Sequence, residues 1–164
     1  MNASLNQLYH KMIEFDAGDP ALIQHFTKVH AYACLIADGE KLDAHTREIL
    51  EATAIVHDIA IPLCREKYGS DAGNLQEKES PALIREFFDG TDFDQEFVSR
   101  VSWLVAHHHT YNPIDGVDHQ ILVEADFLVN AYESSHSEEA KRNTLKNIFK
   151  TETGTKIYRT MFGL

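Results

Sequence analysis

Apolar residues recur every three or four positions along most of the chain, which is the spacing of one face of an α-helix. A representative stripe is formed by Leu22, Phe26, Val29, Ala33 and Ile36. No segment alternates apolar and polar residues for long enough to predict a β-strand. The pattern therefore predicts an all-α fold, organised as a single-domain helical bundle.

Short polar residues in front of the apolar stripes predict where helices begin. The predicted N-caps are Asp19, Asp43, Ser80 and Ser137. Proline follows Asp19 and Ser80, at a position where a helix tolerates its missing N–H. The helix after Asp43 is predicted to end at Ile61-Pro62, because a residue before proline avoids the α conformation. Irregular composition predicts loops over residues 68–79 and 110–118.

The length of 164 residues suits one domain, predicted to span residues 1–164 with a core over roughly 20–135 and C-terminal helices over 137–164. The N-terminus lacks the basic start and apolar block of a secretory signal. Cys34 and Cys64 form no CxxC motif, so we expect no disulfide framework and a cytoplasmic location.

The net charge of −11 argues against a nucleic-acid partner, which normally selects a basic surface. It is compatible with a small phosphorylated substrate, because a bound metal ion reverses the local field. No apolar run approaches the ~20 residues of a membrane span. We therefore expect no membrane partner, and homo-oligomerisation is left open.

Four ionisable residues are predicted to face the interior of the bundle. His25 lies four residues before Val29, and Asp126 lies four after Leu122, so both fall on buried stripes. His57 and Asp58 end the stripe of the helix after Asp43. Burying carboxylates without partners is costly. Two imidazoles and two carboxylates that converge are instead a suitable ligand set for a divalent metal.

This order of residues resembles the HD-domain superfamily of metal-dependent phosphohydrolases, over roughly residues 20–135. In that pattern the first histidine is followed by a basic, an aliphatic and a small residue, which here are Lys28, Val29 and Ala33 after His25. His30 does not fit, because Ala33 and Cys34 stand at the corresponding offsets. The later aspartate motif is similar to Glu124-Ala125-Asp126.

The resemblance implies a fold, a cofactor and a reaction. One divalent ion (Mn, Fe, Co, Ni, Zn or Mg) would be held by His25, His57, Asp58 and Asp126, and the protein would hydrolyse a phosphate ester of a nucleotide or another small metabolite. Asp58 would also take the proton of the attacking water. Lys28 would contact the phosphate, with Arg65 and Lys67 as weaker candidates.

Two further segments are similar to the extended site of some superfamily members. In the His107-His108-His109 run, His108 is predicted to face inward, His109 to share the stripe of Val105, and His107 to face outward. His108 would be catalytic, and His108 and His109 could bind a second ion. Glu79, or in its place Glu77, would supply a catalytic carboxylate.

Two departures from the family pattern weaken the case for a full second metal site. The chain has no histidine between His57 and His107, where members with two metals usually have one. Pro62 stands where some nucleotidases of the superfamily carry a glutamate.

Three alternatives remain open from the sequence. The first is an HD-type oxygenase with a di-iron centre, which iron content and oxygen dependence would distinguish. The second is a metal-binding regulatory module without turnover. The third is a helical interaction protein whose histidines are fortuitous.

Overall fold

The computed structural model describes residues 2–164, which form nine α-helices and no β-strand. In chain order they are α1 (Ala3–Phe15), α2 (Pro20–Gly39), α3 (Ala44–Val56), α4 (Ile61–Tyr68), α5 (Gly73–Phe88), α6 (Gln95–Val105), α7 (Gly116–Glu133), α8 (Glu138–Asn147) and α9 (Glu152–Phe162). The all-α fold predicted from the apolar spacing is confirmed.

The hydrophobic core forms around α2 and α3. Helix α2 packs against α3 and α7, and the opposite flank of α3 packs against α1 and α6. Val29 and Ala33 of α2 are fully buried, as are Leu50 and Ile55 of α3. These are the positions that the three- and four-residue spacing selects. Of the metal-binding candidates, His25 therefore lies on a core helix, and His57 and Asp58 directly follow one.

Three of the predicted helix starts are confirmed. The side chain of Asp19 accepts a hydrogen bond from the backbone N–H of Leu22 at 3.1 Å. Asp43 and Ser137 cap α3 and α8 in the same way. Each accepts from one of the backbone donors that the first turn of a helix leaves unpaired.

The prediction for the segment around Ile61-Pro62 was wrong in one respect. Helix α3 ends at Val56, residues 57–60 form a turn, and Pro62 lies in the first turn of a separate short helix, α4. A proline in the first turn removes no helical hydrogen bond, because that N–H would have no partner in the helix. His57 and Asp58 are consequently presented by a turn and not by a helix face.

The prediction for residues 68–80 was also wrong. Helix α5 begins at Gly73 and contains Pro81 in its interior, so the loop covers only residues 69–72 and Ser80 is not an N-cap. Pro81 has no backbone N–H to donate to the carbonyl oxygen of Glu77, four residues earlier. The Ser80 hydroxyl lies 3.5 Å from that oxygen. The buried residues of its first two turns are the polar Gln76 and Ser80, so the spacing of apolar residues does not predict a helix there.

The C-terminal helices are fastened to α7 by a buried carboxylate. Glu124 is fully buried and accepts hydrogen bonds from the backbone N–H groups of Lys150 and Thr151, at 2.7 and 2.9 Å, and from the Thr151 hydroxyl at 2.5 Å. Gly154 of α9 leaves room for it, since a Cβ there would lie 2.0 Å from Glu124 Oε2. Within residues 2–164, no helix is both long and apolar enough to cross a bilayer.

Candidate metal centre

The structure brings His25, His57, Asp58 and Asp126 together from three elements. His25 projects from α2, His57 and Asp58 from the turn after α3, and Asp126 from α7. His25, His57 and Asp126 are buried, and the Asp58 side chain is 15% exposed. Because α2 packs directly on α7 and α3, the four side chains meet at the junction of these helices.

The Nε2 atoms of both histidines lie close to each other and to both carboxylates. The Nε2 atom of His25 lies 3.3 Å from Nε2 of His57, 3.2 Å from Oδ1 of Asp126 and 3.3 Å from Oδ2 of Asp58. The Nε2 atom of His57 lies 3.3 Å from Asp58 Oδ2 and 3.7 Å from Asp126 Oδ1. Two nitrogens and two oxygens therefore point at one small volume.

The other ring nitrogens fix the tautomers of both histidines. The Nδ1 atom of His57 lies 2.9 Å from the Ala54 carbonyl, and Nδ1 of His25 lies 2.7 Å from Glu133 Oε2. Both partners are acceptors, so in each neutral ring Nδ1 carries the proton. Each Nε2 then presents a lone pair to the other and to two carboxylates. Such a group requires a cation or additional protons at its centre.

These distances fit a divalent metal. Nitrogen and oxygen ligands bind such an ion at ~2.1 Å, which places neighbouring donors ~3.0–3.4 Å apart in octahedral or tetrahedral geometry. Four of the five measured separations lie in that interval. The mixed imidazole and carboxylate set suits zinc, manganese, iron or cobalt.

The pKa values of His57 and Asp126 are both shifted in the direction that favours positive charge at the centre of the group. Burial opposes protonation of His57, but Asp58 and Asp126 outweigh it and raise its pKa well above the ordinary value. Burial would raise the pKa of Asp126, but the His25 and His57 rings, which can take a second proton at Nε2, lower it overall. The carboxylates thus stay ionised and attract a cation.

Two residues that the sequence analysis missed orient the ligands. Asn130 donates a hydrogen bond to Asp126 Oδ1 at 2.8 Å, and Glu133 accepts from His25 Nδ1. Carboxylates in that position hold an imidazole ligand in its binding tautomer. Both residues lie on α7, four and seven positions after Asp126, so their helical spacing from that residue was a usable signal.

Lys28 also contacts Glu133. Its ammonium group pairs with Glu133 Oε1, and its side chain remains 41% exposed. Lys28 is therefore adjacent to the cluster through Glu133, and the same carboxylate that orients His25 holds it in place.

In the run of residues 107–109, two histidine rings lie beside Asp58 or each other, and the third points elsewhere. His108 is 1% exposed, its Nδ1 lies 2.7 Å from the Val105 carbonyl, and its Nε2 lies 3.6 Å from Asp58 Oδ1. The ring of His109 packs against it, with ring centroids 3.9 Å apart. His107 instead stacks on Trp103 at 4.0 Å. Since α6 ends at Val105, a turn rather than a continuing helix presents these rings.

Asp58, His108 and His109 form a second group of potential ligands beside the first. The Nε2 atoms of both histidines are buried and have no hydrogen-bond partner among the described residues. Burial, and then the neighbouring His108, lowers the pKa of His109 to about 4, so its ring is neutral near pH 7. Unpartnered imidazole nitrogens next to a carboxylate are suitable metal donors.

The two candidate glutamates of α5 are also separated. Glu77 Oε1 accepts from the backbone N–H of His109 at 3.2 Å and from the Thr110 hydroxyl at 2.9 Å. Glu79 Oε1 accepts from Lys67 Nζ at 3.0 Å and from the Tyr68 hydroxyl at 2.5 Å. The structure therefore places Glu77 beside the histidine turn, whereas Glu79 joins α5 to α4 and is not brought to the cluster.

An open cleft of about 360 Å³ leads to the cluster. Its charged lining consists of Asp58, Asp71, Asp126, Glu133 and Arg65, together with the rings of His25 and His109. A larger cleft, about 750 Å³, lies between α5 and α6 and includes His107, but none of the candidate ligands. Of these two clefts, the smaller one opens onto the candidate metal centre.

A solved structure shares this fold across nearly the whole chain. It is the crystal structure of a predicted HD superfamily hydrolase from an uncultured Thermotogales bacterium, with 26% sequence identity and a TM-score of 0.66. The alignment covers 96% of this chain and 84% of the other. No family model and no curated protein matches the sequence.

Proposed function

Since this chain is an HD superfamily protein, we propose that it is a metal-dependent hydrolase of a phosphate ester. The observation that carries the proposal is the convergence of two imidazole lone pairs and two carboxylates within 3.7 Å. His25, His57, Asp58 and Asp126 are the proposed ligands of one divalent ion. The solved relative, named as a predicted hydrolase, supports the class of reaction.

The residues around the cluster divide the remaining tasks. A divalent ion held by His25, His57, Asp58 and Asp126 would lower the pKa of water and neutralise charge on a phosphoryl group. Asp58 has one oxygen turned to each group of histidines, and it takes the proton of the attacking water. His108, when protonated at Nε2, donates to Asp58 or to a phosphoryl oxygen in the same space.

The cations at the cleft orient an anionic substrate. Arg65 lines the cleft, and Asp71 holds its guanidinium group through a 2.9 Å hydrogen bond from Nε. Lys28 lies behind Glu133 and contacts phosphate only by leaving that carboxylate. We therefore assign the first contact with the phosphate to Arg65, and a closing contact to Lys28. Glu79 stays a candidate from sequence, for which the geometry supplies no argument.

A second ion would be held by Asp58, His108 and His109. The support for it is the pair of buried, unpartnered Nε2 atoms described above. In that form Asp58 is shared between the two ions. Two iron equivalents with oxygen consumption and no phosphate release would instead favour the oxygenase alternative.

The test combines metal analysis with a substrate screen. Purified protein is expected to hold a divalent metal and to hydrolyse at least one member of a panel of phosphomonoesters, phosphodiesters and nucleotides with Mn²⁺, Mg²⁺, Co²⁺ or Ni²⁺. Asp126→Ala is expected to lose this metal and the activity while keeping its helical circular dichroism. The exposed Asp92→Ala is the matched control and is expected to keep both.

Two results would overturn the proposal. One is the absence of any metal together with no thermal shift on addition of each divalent ion. The other is an Asp126→Ala variant that retains full metal content at the cluster and full turnover, which would remove Asp126 from the ligand set.

A further inference from the structure

A second cluster of metal-binding residue types lies farther along the interface between α2 and α3. It consists of His30 and Cys34 of α2 and Glu51 of α3. His30 is 9% exposed, Glu51 is 5% exposed, and Cys34 is half-buried. None of the three belongs to the group around Asp58, and His30 lies ~7.5 Å along the helix axis from His25.

The three donor atoms face one another. The Nε2 atom of His30 lies 3.3 Å from Glu51 Oε2 and 3.6 Å from Cys34 Sγ. Zinc binds nitrogen and oxygen at ~2.1 Å and sulfur at ~2.3 Å. A tetrahedral arrangement then requires ~3.4 Å between nitrogen and oxygen and ~3.6 Å between nitrogen and sulfur. Both measured separations agree with these values to within about 0.1 Å.

Neighbouring residues hold the ligands in this arrangement. His30 and Cys34 are four positions apart on α2, so they lie on the same face. Arg47 Nε donates to Glu51 Oε1 at 2.7 Å, which turns Oε2 toward His30, and Asp38 pairs with the same guanidinium. The ring of Tyr9 packs edge-on against His30, with centroids 5.4 Å apart. The cluster is therefore supported on three sides.

The same geometry excludes a cysteine–histidine–glutamate nucleophilic triad. In such a triad the histidine uses one ring nitrogen for the thiol and the other for the carboxylate. Here both Cys34 and Glu51 face the Nε2 atom of His30. Convergence of sulfur, nitrogen and oxygen on a common point is the arrangement of a metal site.

We propose that His30, Cys34 and Glu51 bind a zinc ion that joins α2 to α3, independently of the hydrolytic centre. Sulfur and nitrogen donors favour zinc over magnesium, calcium or manganese. Binding requires the Cys34 thiol to lose its proton to solvent, and a thiolate and a carboxylate then balance the charge of the ion. A water molecule would complete the tetrahedron.

Cobalt substitution tests the proposal with a signal that the hydrolytic centre cannot give. Only a thiolate ligand produces a near-ultraviolet charge-transfer band from sulfur to Co²⁺, and the group around Asp58 contains no sulfur. Full-length reduced protein, freed of metal with a chelator and titrated with Co²⁺, is expected to show this band. Adding Zn²⁺ in excess over all the proposed sites is expected to remove it.

Matched variants identify the site. The band is expected to disappear in Cys34→Ser and to weaken in Glu51→Gln, with circular dichroism to verify folding. It is expected to persist in Cys64→Ser, which alters the other cysteine, and in Asp126→Ala, which alters the hydrolytic centre. The proposal would be overturned if the unsubstituted protein, titrated with Co²⁺, lacked the band. It would also be overturned if the band survived in Cys34→Ser or was lost in Cys64→Ser.

Discussion

Asp58 is the residue on which both groups of histidines depend. Its Oδ2 atom lies 3.3 Å from His25 and His57, and its Oδ1 atom lies 3.6 Å from His108. The pKa of this carboxyl is well below its usual range, because His57 and His108 outweigh the effect of burial. One side chain is therefore placed for both roles that we propose for it, metal ligand and proton acceptor.

The His108→Ala variant is expected to lower turnover by ~100-fold or more, the size of effect expected when a proton-transfer or charge-stabilising partner is removed. The matched control is His107→Ala, which is expected to change turnover little because that ring stacks on Trp103 in the other cleft. Steady-state assays on a substrate from the screen measure both. Equal, small effects would place the whole run outside the reaction.

Asp16 gives a prediction about stability and pH. Burial, with the nearby Asp19 and Asp58, raises its pKa from 3.8 to about 6, and its Oδ1 atom has no hydrogen-bond partner among the described residues. Below the unfolded pKa the carboxyl is protonated in both states and costs nothing. As pH rises through the folded pKa, the folded state must ionise a disfavoured group, so stability falls.

Asp16→Asn is therefore expected to stabilise the metal-free protein at pH 8 and to have no effect at pH 3.5. The gain is estimated at about 1 kcal/mol, since solvent screening reduces the ~3 kcal/mol that the full shift would represent. Thermal unfolding at the two pH values measures it. A variant that is equally stabilised at both would show that the effect does not come from ionisation.

At the scale of helices, the sequence predicted elements where local chemistry and apolar spacing agree. Asp19-Pro20 and Asp43 marked α2 and α3 correctly, because capping is a local interaction. The first turns of α5 were missed because tertiary contacts bury Gln76 and Ser80, which carry no apolar signal. A proline inside a helix is likewise stabilised by context that a single sequence does not show.

The candidate site followed a similar rule. His25, His57, Asp58 and Asp126 were named from motif order and inward spacing, and the structure brings them together. Glu133 shares the helix face of Asp126, seven positions earlier, but its contact with the His25 imidazole depends on how α2 packs on α7, which the sequence does not give. The sequence also could not predict which of Glu77 and Glu79 lies beside the histidines, because that depends on where α4 and the histidine turn lie.

Glu124 provides a prediction at the scale of helices. Replacing it by Gln puts an amide NH2 opposite either the Thr151 hydroxyl or the backbone N–H groups of residues 150 and 151, so a hydroxyl or N–H donor there loses its acceptor. We expect the free energy of unfolding to fall by ~2 kcal/mol, as for a buried donor left unpaired. Glu152→Gln in the exposed first turn of α9 is the control, with an expected loss below ~0.5 kcal/mol. Urea unfolding of both variants would show equal losses if Glu124 were not the anchor.

At the scale of the molecule, the proposed hydrolytic ion would tie α2, the turn after α3, and α7 into one unit. Mn²⁺ is a selective probe, because the cluster with Cys34 offers a thiolate that suits it poorly. At a free concentration ~100 times its dissociation constant, Mn²⁺ should stabilise the native protein by ~2.7 kcal/mol. Differential scanning calorimetry should show a higher melting temperature for the native protein and no change for Asp126→Ala.

The lining of the small cleft sets the order in which ligands arrive. With neutral histidines, its four carboxylates and one guanidinium give a net charge of −3. One divalent ion would reduce this to −1, and a second would reverse it to +1. If the substrate is the phosphate ester that we propose, the metal-free cleft repels it, and metal must bind before the substrate. The affinity for substrate should therefore rise with ion occupancy, most steeply when the second ion enters.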